Sequence, residues 1–170
     1  MSRQLFTFFR SSTSFRLRIA LAYKRLDYEP HYVSLPKMEH RIPSYRDMNP
    51  QGLVPVLEHG QRMLRQSLAI LEYLDEVWPD PPLLPATARD RQRVRALAQL
   101  VACDIHPLNN LAPLQYLKRV LKQEQPAIDA WYHHWIIEGF TALEIMIRPG
   151  PYCFGANVTQ ADIYLVPQVY

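Results

Sequence analysis

Four consecutive hydroxyl side chains, from Ser11 to Ser14, are the densest group of residues in this sequence that could take part in chemistry. They follow the apolar run at residues 5–9 and precede a helical pattern that begins at Phe15. A hydroxyl at the N-terminus of a helix can donate a hydrogen bond to an anion, in the positive potential of the free backbone N–H groups. It can equally serve as an ordinary helix cap that accepts a hydrogen bond from the backbone. The local sequence leaves both functions open.

Charged and amide side chains stand beside this cluster and at a second predicted helix start. Arg10 and Arg16 flank the hydroxyls, where guanidinium groups could pair with carboxylates, although an arginine beside a strand can also be a solvated surface residue. Gln66 and Ser67 precede an apolar helical pattern, and the free N–H groups of a helix start attract carboxylates. Ser67 could instead be a simple cap. His106 is a single histidine in a helical pattern, so we assign it no acid–base role.

The elements that must position these residues alternate short β-like runs with helical patterns. Helices are predicted at residues 15–24 and 67–77, and strands at residues 5–9, 29–35, 54–58 and 62–64. A βαβ beginning favours a parallel pair of strands, and the two residues His59 and Gly60 suit a hairpin connection. The complete order is βαβ, a connector and ββα. It predicts a thioredoxin-like α/β domain over residues 1–80.

A Pro-rich segment separates this half from a second, helical half. Residues 81–85 cannot continue a helix and predict a linker. Residues 86–170 are predicted as an all-α domain with two long helices, the first kinked near Pro107 or Pro113. A third helix is predicted from a capping box at Thr159 and Asp162. Because this helix reaches the last residue after about three turns, we expect the domain to be incomplete. The apolar residues expected to lack part of their cover are Ile163, Leu165, Val166 and Val169.

Composition limits the classes of function. Apolar residues make up 48% of the 170 residues and charged residues 21%, a balance typical of folded rather than disordered proteins. The net charge of +3 is spread along the chain, which argues against a nucleic-acid or membrane surface. No apolar run is long enough for a membrane span or a signal peptide, so a cytoplasmic protein is predicted. Cys103 and Cys153 form no CxxC pair, and no metal site is predicted.

Several segments carry a resemblance to a known family. Residues 11–18, with the sequence SSTSFRLR, resemble the signature SSCSWRVR of zeta-class glutathione transferases of the maleylacetoacetate isomerase type. Further matches, in the family's order, are NPQGLVP at residues 49–55, QSLAILEYL at 66–74, HPLNNL at 106–111, and AD followed by LVPQV within residues 161–169. The family combines a thioredoxin-like domain with an all-α domain. The resemblance therefore implies the same fold class as the predicted elements.

The resemblance also implies where glutathione binds. A thiol of pKa about 8.5 is mostly protonated at neutral pH, so the enzyme must favour the thiolate, and the signature places Ser11 in that role with Ser12 able to share it. Val54-Pro55 matches the family's cis-proline turn, which faces the peptide part of glutathione, although sequence alone favours a trans bond. Gln66-Ser67 matches the site of the γ-glutamyl end. The implied glutathione contacts are Ser11, Ser12, Thr13, Ser14, Phe15, Arg16, Val54, Pro55, Gln66, Ser67, His106, Asn110 and Leu111.

The implied activity is the cis–trans isomerisation of maleylacetoacetate to fumarylacetoacetate by a homodimer, with glutathione as cofactor, in the breakdown of tyrosine and phenylalanine. The resemblance implies that Ser11, Ser12 and Arg16 are catalytic and that Arg10 and Arg16 bind the carboxylates of this small dianion. Three alternatives stay open. They are a maleylpyruvate isomerase, a zeta-class transferase with another substrate, and a non-catalytic protein that binds glutathione or another subunit.

Three departures from the family pattern bear on these expectations. Thr13 replaces the signature cysteine, which keeps a hydrogen-bond donor but loses a soft thiol. Ala112-Pro113 stands where bacterial relatives often carry a basic residue, so we expect one substrate contact to be missing. The connector between Leu35 and Asn49 lacks the family's Gly-Gly-Gln element, and we assign no glutathione contact to it.

Overall fold

The computed structural model describes residues 2–170, which form two units: the first ends at Leu83 and the second begins at Leu84. The first unit contains β1 (Arg3–Thr7), α1 (Ser12–Tyr23), β2 (Glu29–Tyr32), α2 (Pro43–Met48), β3 (Val56–His59), β4 (Arg62–Arg65) and α3 (Ser67–Val77). A short 3-10 helix, Glu39–Arg41, precedes α2. The predicted order of βαβ, connector and ββα is confirmed. The connector contains α2, which the sequence pattern did not predict.

The four strands of the first unit form one sheet in the order β2-β1-β3-β4. β1 and β2 are parallel, as the βαβ prediction requires. β3 is antiparallel to both β1 and β4. This mixed sheet, with helices from both βαβ and ββα segments, confirms the predicted thioredoxin-like α/β fold.

Two predicted boundaries of β3 are shifted in the structure. The strand begins at Val56 rather than at Val54, because Pro55 between them has no N–H group to donate to a neighbouring strand. At its other end His59 still pairs with Arg62. The hairpin therefore turns at the two residues between them, one position later than predicted.

Apolar side chains cover both faces of the sheet. Val56 and Leu57 are neighbours on β3 and point to opposite faces, and both are fully buried. On one face Val56 packs with Val33, Tyr45 and Val54. Helices α1 and α3 contribute further buried residues: Leu17, Ala20, Leu21, Ile70, Leu71 and Leu74. Because full burial of one such side chain contributes roughly 1.5–3 kcal/mol, this packing holds both helices firmly on the sheet.

A buried ion pair ties the end of α1 to the end of α3. The Lys24 ammonium donates to Asp75 Oδ1 at 2.9 Å and to the carbonyl oxygens of Trp78 at 2.6 Å and Pro81 at 2.8 Å. The Lys24 side chain is 0% exposed. Asp75 Oδ1 also accepts the Leu83 N–H at 2.7 Å. All three ammonium hydrogens have acceptors, so Lys24 and Asp75 together hold the segment that follows α3.

The second unit consists of helices, apart from an isolated bridge between Tyr152 and Gly155. Its helices are α4 (Ala88–Gln99), α5 (His106–Asn109), α6 (Leu111–Arg119), α7 (Gln125–Met146) and α8 (Gln160–Val169), with a π-helical segment, Leu100–Ile105, between α4 and α5. The predicted all-α class is confirmed. In place of the kink predicted near Pro107, the structure has this π-helical segment, which ends two residues before Pro107. Proline has no N–H group to donate to a regular helical hydrogen bond, which is consistent with a change of helix type here. Pro113 is the third residue of α6, which begins after the extended residue Asn110.

The start of α8 is the predicted capping box. Asp162 Oδ2 accepts the Thr159 N–H at 2.8 Å, and the Thr159 side chain accepts the N–H of Asp162. The expectation for Ile163 is wrong, because this residue is fully buried where α8 packs against α4. Val166 and Val169 are 50% and 65% exposed. No helix within residues 2–170 is long and apolar enough to cross a membrane.

Candidate functional site

The turn from β1 into α1 is held by Arg18. Its guanidinium donates to Thr7 Oγ1 at 3.2 Å and to the carbonyl oxygens of Phe8 and Phe9 at 3.4 and 3.0 Å. A guanidinium presents five donors in a rigid fork, so one side chain can bind three acceptors. These contacts fix the turn that delivers Ser11 to the start of the helix. Arg18 lies in the quoted signature, but no role was predicted for it.

Ser11 is the cap residue of α1. Its Oγ accepts the Ser14 N–H at 3.1 Å and shares a 2.8 Å hydrogen bond with Thr13 Oγ1. The capping function considered from the sequence is therefore present. The role of Ser11 in stabilising a thiolate stays a prediction, as does that of Ser12, the half-buried first residue of α1.

Thr13 connects the start of α1 to the loop before β3. Its Oγ1 donates to the Val54 carbonyl oxygen at 3.1 Å, across 41 positions of sequence. The Val54–Pro55 peptide bond is cis, as in the family's turn and against the general preference for trans. The two residues are buried. The first helix start and the cis-proline turn are therefore directly hydrogen-bonded to each other.

Two residues for which no role was predicted support this turn. The Tyr45 hydroxyl and Asn49 Nδ2 both donate to the Leu53 carbonyl oxygen, at 2.9 and 2.8 Å. Burial raises the pKa of Tyr45 above its usual value, so the phenol keeps its proton and remains a donor. Gly52 adopts a φ of +60°, and a Cβ there would meet the His40 carbonyl oxygen. Asn49 and Gly52 lie in a quoted motif, whereas Tyr45 gave no local signal within the polar connector.

The start of α3 differs in detail from the predicted cap. Ser67 is the first residue of the helix rather than its cap residue, and its Oγ accepts a hydrogen bond from Arg16 Nη1 at 3.3 Å. The cap position belongs to Gln66, whose φ of +67° is rare for a residue other than glycine and marks a strained backbone. Gln66 makes no capping hydrogen bond, and its Nε2 donates instead to Gln51 Oε1 at 2.7 Å. The N–H groups of the first turn are therefore not covered by this side chain.

The two arginines expected to bind substrate carboxylates stand in different surroundings. Arg10 is exposed, whereas Arg16 is only 2% exposed. The hydrogen bond from Arg16 to Ser67 spans 51 positions and links the first turns of α1 and α3. Its burial favours a positioning role over direct contact with a substrate. The substrate contact of Arg10 stays a prediction.

Ser14 and Phe15 take part in the packing of the turn. Ser14 is fully buried and its Oγ accepts the Phe8 N–H at 3.5 Å. The Arg18 guanidinium lies 5.1 Å from the centre of the Phe15 ring, a distance at which a cation and an aromatic face attract. Their predicted glutathione contacts stay predictions.

Three predicted contact residues lie in the second unit. His106 is the half-buried first residue of α5. Asn110 caps α6 by accepting the Leu111 N–H at 2.7 Å, and Leu111 is 53% exposed. Their predicted glutathione contacts stay predictions. Among the described residues, no group of three or more His, Cys, Asp or Glu side chains is placed to hold a metal ion.

The chain is similar to known proteins over nearly its whole length. The family described as "Glutathione S-transferase, N-terminal domain" matches residues 10–77, which contain Ser11, Val54 and Ser67. A maleylpyruvate isomerase of Ralstonia sp is 50% identical over 98% of this chain and 80% of the relative. A maleylacetoacetate isomerase of Pseudomonas aeruginosa is 45% identical, again over 98% of this chain and 80% of the relative.

The chain is also similar in three dimensions to solved structures of such isomerases. The holo structure of a maleyl pyruvate isomerase, a bacterial glutathione S-transferase in the zeta class, matches with a TM-score of 0.94 and 50% identity, covering 98% of this chain and 80% of that one. A maleylacetoacetate isomerase from Methylobacterium extorquens AM1, with bound malonate and glutathione, matches with a TM-score of 0.92 and 36% identity. That match covers 96% of this chain and 79% of the other.

Proposed function

The chain belongs to the zeta class of glutathione transferases and is an enzyme, and we propose that it catalyses the glutathione-dependent cis–trans isomerisation of maleylacetoacetate to fumarylacetoacetate. One observation carries the proposal. Within the first unit, hydrogen bonds join the start of α1 to the Val54–Pro55 turn, through Thr13, and to the start of α3, through Arg16 and Ser67. Glutathione has a thiol, a peptide backbone and a γ-glutamyl carboxylate. Two helix starts and a backbone turn offer one complementary group for each of these three parts.

Each part of glutathione has an assigned partner in this proposal. Ser11 donates to the sulfur at the start of α1, with Ser12 as a second donor, and the helix N-terminus favours the negative charge. The Val54 backbone pairs with the peptide part. Gln66, Ser67 and the first-turn N–H groups of α3 bind the γ-glutamyl carboxylate. A thiolate and a carboxylate are then each held at a helix N-terminus.

The reaction needs no redox step and no net proton transfer. The thiolate adds to a carbon of the cis double bond, and the π electrons move onto the conjugated carbonyl oxygen as an enolate. The former double bond is now single and rotates. When the enolate collapses, the C–S bond breaks and returns the thiolate with the trans product. The protein has to keep the sulfur deprotonated and hold the substrate carboxylates, for which exposed Arg10 is the proposed cation in the first unit.

A second candidate substrate is maleylpyruvate, which is favoured by the name of the Ralstonia relative. The two substrates share the cis double bond that is conjugated to a carbonyl group. Both should therefore be assayed with and without glutathione. A larger kcat/KM for maleylacetoacetate supports the proposal, and a larger value for maleylpyruvate favours the second candidate. Isomerisation of neither substrate, or equal rates without glutathione, would contradict both. Assembly as a homodimer also belongs to this proposal and can be measured by sedimentation velocity.

The Ser11→Ala variant tests the assignment of the thiolate donor. Loss of one donor to a developing or bound anion costs about 3 kcal/mol, so we expect kcat/KM to fall roughly a hundredfold. Ser11→Thr, which keeps both a hydroxyl and a capping oxygen, is the matched control and should retain most of the activity. If Ser11→Ala keeps its turnover while Ser12→Ala loses it, the donor is Ser12.

A further inference from the structure

The hydrogen bonds around Thr13 determine where the Ser11 proton points. Thr13 Oγ1 donates to the Val54 carbonyl oxygen at 3.1 Å, and a carbonyl oxygen can only accept. A threonine hydroxyl has one hydrogen, so Thr13 must be the acceptor in its 2.8 Å hydrogen bond with Ser11. Ser11 is therefore the donor in that bond, and its oxygen also accepts the Ser14 N–H. The single proton of Ser11 is already in use.

This arrangement conflicts with the role that the proposed function gives to Ser11. A serine hydroxyl cannot donate its one hydrogen fully to Thr13 and to a thiolate at the same time. We propose that Thr13 competes with the thiolate of bound glutathione for the Ser11 hydroxyl proton, and so acts as a positioning residue that limits the acidity of the bound thiol. The inference rests on the proposed function, because it concerns the donor that activates the thiol.

Thr13 still competes for the Ser11 proton when glutathione binds at the Val54–Pro55 turn. The Val54 carbonyl oxygen has two lone pairs. It can accept the Thr13 hydroxyl and a peptide N–H of the ligand together. Thr13 thus keeps its donor bond to Val54 and remains an acceptor for Ser11. Its hydroxyl therefore opposes thiolate formation throughout the reaction cycle.

Removal of the competing hydroxyl should make the bound thiol more acidic. In Thr13→Val, which preserves the shape of the side chain, Ser11 has no acceptor at this position and can donate to sulfur without losing another bond. We expect the pKa of the bound thiol to fall by about half a unit to one unit, equivalent to about 0.7–1.4 kcal/mol at 1.36 kcal/mol per unit. Thr13→Ser keeps the hydroxyl and should restore the wild-type pKa. The measurement is a pH titration of the thiolate ultraviolet absorbance of bound glutathione.

The double variant Ser11→Ala/Thr13→Val separates this competition from a general disturbance of the site. Ser11→Ala alone should raise the pKa of the bound thiol, because the donor is lost. Adding Thr13→Val to Ser11→Ala should then have no further effect, since no Ser11 proton remains. A structural effect of Thr13 would instead persist in the double variant. Thr13→Ala repeats the comparison with a smaller side chain if Thr13→Val does not fold, as judged by circular dichroism.

Two results would overturn the inference. In the first, Ser11→Ala raises the pKa of the bound thiol, but Thr13→Val, or Thr13→Ala in its place, leaves that pKa unchanged or raises it. This result rejects the competition and leaves the proposed function intact. Alternatively, the effect of Thr13→Val could persist without Ser11. The proposed function has its own test, the binding of S-methylglutathione, a ligand with no ionisable thiol. It is wrong if the wild-type protein does not bind this ligand at millimolar concentration.

Discussion

The Arg16 guanidinium donates to Ser67 Oγ at 3.3 Å from a position that is 2% exposed. A guanidinium can only donate, so Ser67 must accept this bond with a lone pair. The hydroxyl proton of Ser67 then remains for another acceptor, and a charged donor on its oxygen makes that proton a stronger donor. We therefore expect Arg16 to prepare Ser67 for the γ-glutamyl carboxylate of glutathione rather than to touch the isomerised substrate.

Replacement of Arg16 by methionine, of similar length but uncharged, should weaken the binding of glutathione. A hydrogen bond to a charged group contributes about 1.5–3 kcal/mol, so the Kd should rise roughly tenfold to a hundredfold in titration calorimetry. Arg16→Lys keeps the charge and should recover part of the loss. The control is Arg10→Met, because Arg10 is exposed and is proposed to contact the dicarboxylic substrate.

The Arg10 and Arg16 variants should therefore differ in which constant changes, the KM for the dicarboxylate or the Kd for glutathione. Arg10→Met should raise the KM for the dicarboxylate with little change in the Kd for glutathione. If Arg16→Met instead raises the KM for the dicarboxylate and leaves the Kd for glutathione unchanged, the implied substrate contact of Arg16 is right and the positioning role is wrong.

At the scale of elements, the starts and the ends of α1 and α3 are joined in different ways. At their starts Arg16 donates a hydrogen bond to Ser67. At their ends Lys24 binds Asp75 and two backbone carbonyl oxygens, with all of its hydrogens used. This end connection keeps the two helices in register on the sheet. It thereby maintains the distance between the two helix starts that form the candidate site.

The Lys24→Met variant tests this connection. Methionine leaves the Asp75 carboxylate without its cation in a largely buried position, and loss of one partner of a buried ion pair typically costs about 3–5 kcal/mol. We expect a correspondingly lower free energy of unfolding in urea. Adding Asp75→Asn should recover part of the loss, because the uncompensated charge is removed. Lys37→Met, at an exposed position, should have little effect. Equal stability of Lys24→Met and the wild-type protein would show that the ion pair contributes nothing.

At the scale of the whole molecule, two buried histidines should make stability depend on pH. Burial is the largest cause that lowers the pKa of His59 from its usual 6.5, followed by positive charges that include Arg3 and Arg62. Burial, with Arg41 and Arg46, also lowers the pKa of His40. The folded protein thus keeps both imidazoles neutral when the unfolded chain already takes up protons. Stability is full above about pH 6.5 and is lost as the pH falls from there towards the lower folded-state pKa values.

This pH dependence can be followed in the whole chain by the fluorescence of a tryptophan in the first unit. Trp78 lies in that unit, 5.2 Å from the His59 ring, while the other two tryptophans, Trp131 and Trp135, lie on α7. In a Trp131→Phe/Trp135→Phe background, urea unfolding followed by fluorescence should show a lower free energy of unfolding at pH 5 than at pH 7. Each affected histidine can contribute at most about 1.4 kcal/mol per pH unit.

The matched variants identify His59 as a source of this effect. His59→Asn removes the titrating group at a position where the ring nitrogen Nδ1 bonds the Tyr73 hydroxyl at 2.7 Å. It should reduce the difference between pH 5 and pH 7. His133→Asn, at an exposed position on α7, should leave that difference unchanged. A difference that is the same in His59→Asn and the wild-type protein would contradict the prediction.

Much of the fold could be predicted because its signals are local. Helical spacing, turn residues and the capping box at Thr159 each depend on residues a few positions apart, so the βαβ, connector and ββα order of the first unit and both fold classes were predicted correctly. The errors lie where local patterns compete with tertiary contacts. No helix was predicted in the connector, but Tyr45 of α2 packs into the core and donates to Leu53. Ile163 was expected to lack part of its cover, but packing within the second unit buries it completely.

The sequence by itself determined the residue types of the candidate site and, through the order of its motifs, the class of the enzyme. Only the tertiary structure decided what those side chains do for one another. Thr13 and Val54 lie 41 positions apart, and Arg16 and Ser67 lie 51 apart, so no local pattern reveals either hydrogen bond. The direction of each bond follows from counting donors and acceptors once the partners are adjacent. The physical reason is that a hydroxyl has one proton, and folding alone determines which acceptor receives it.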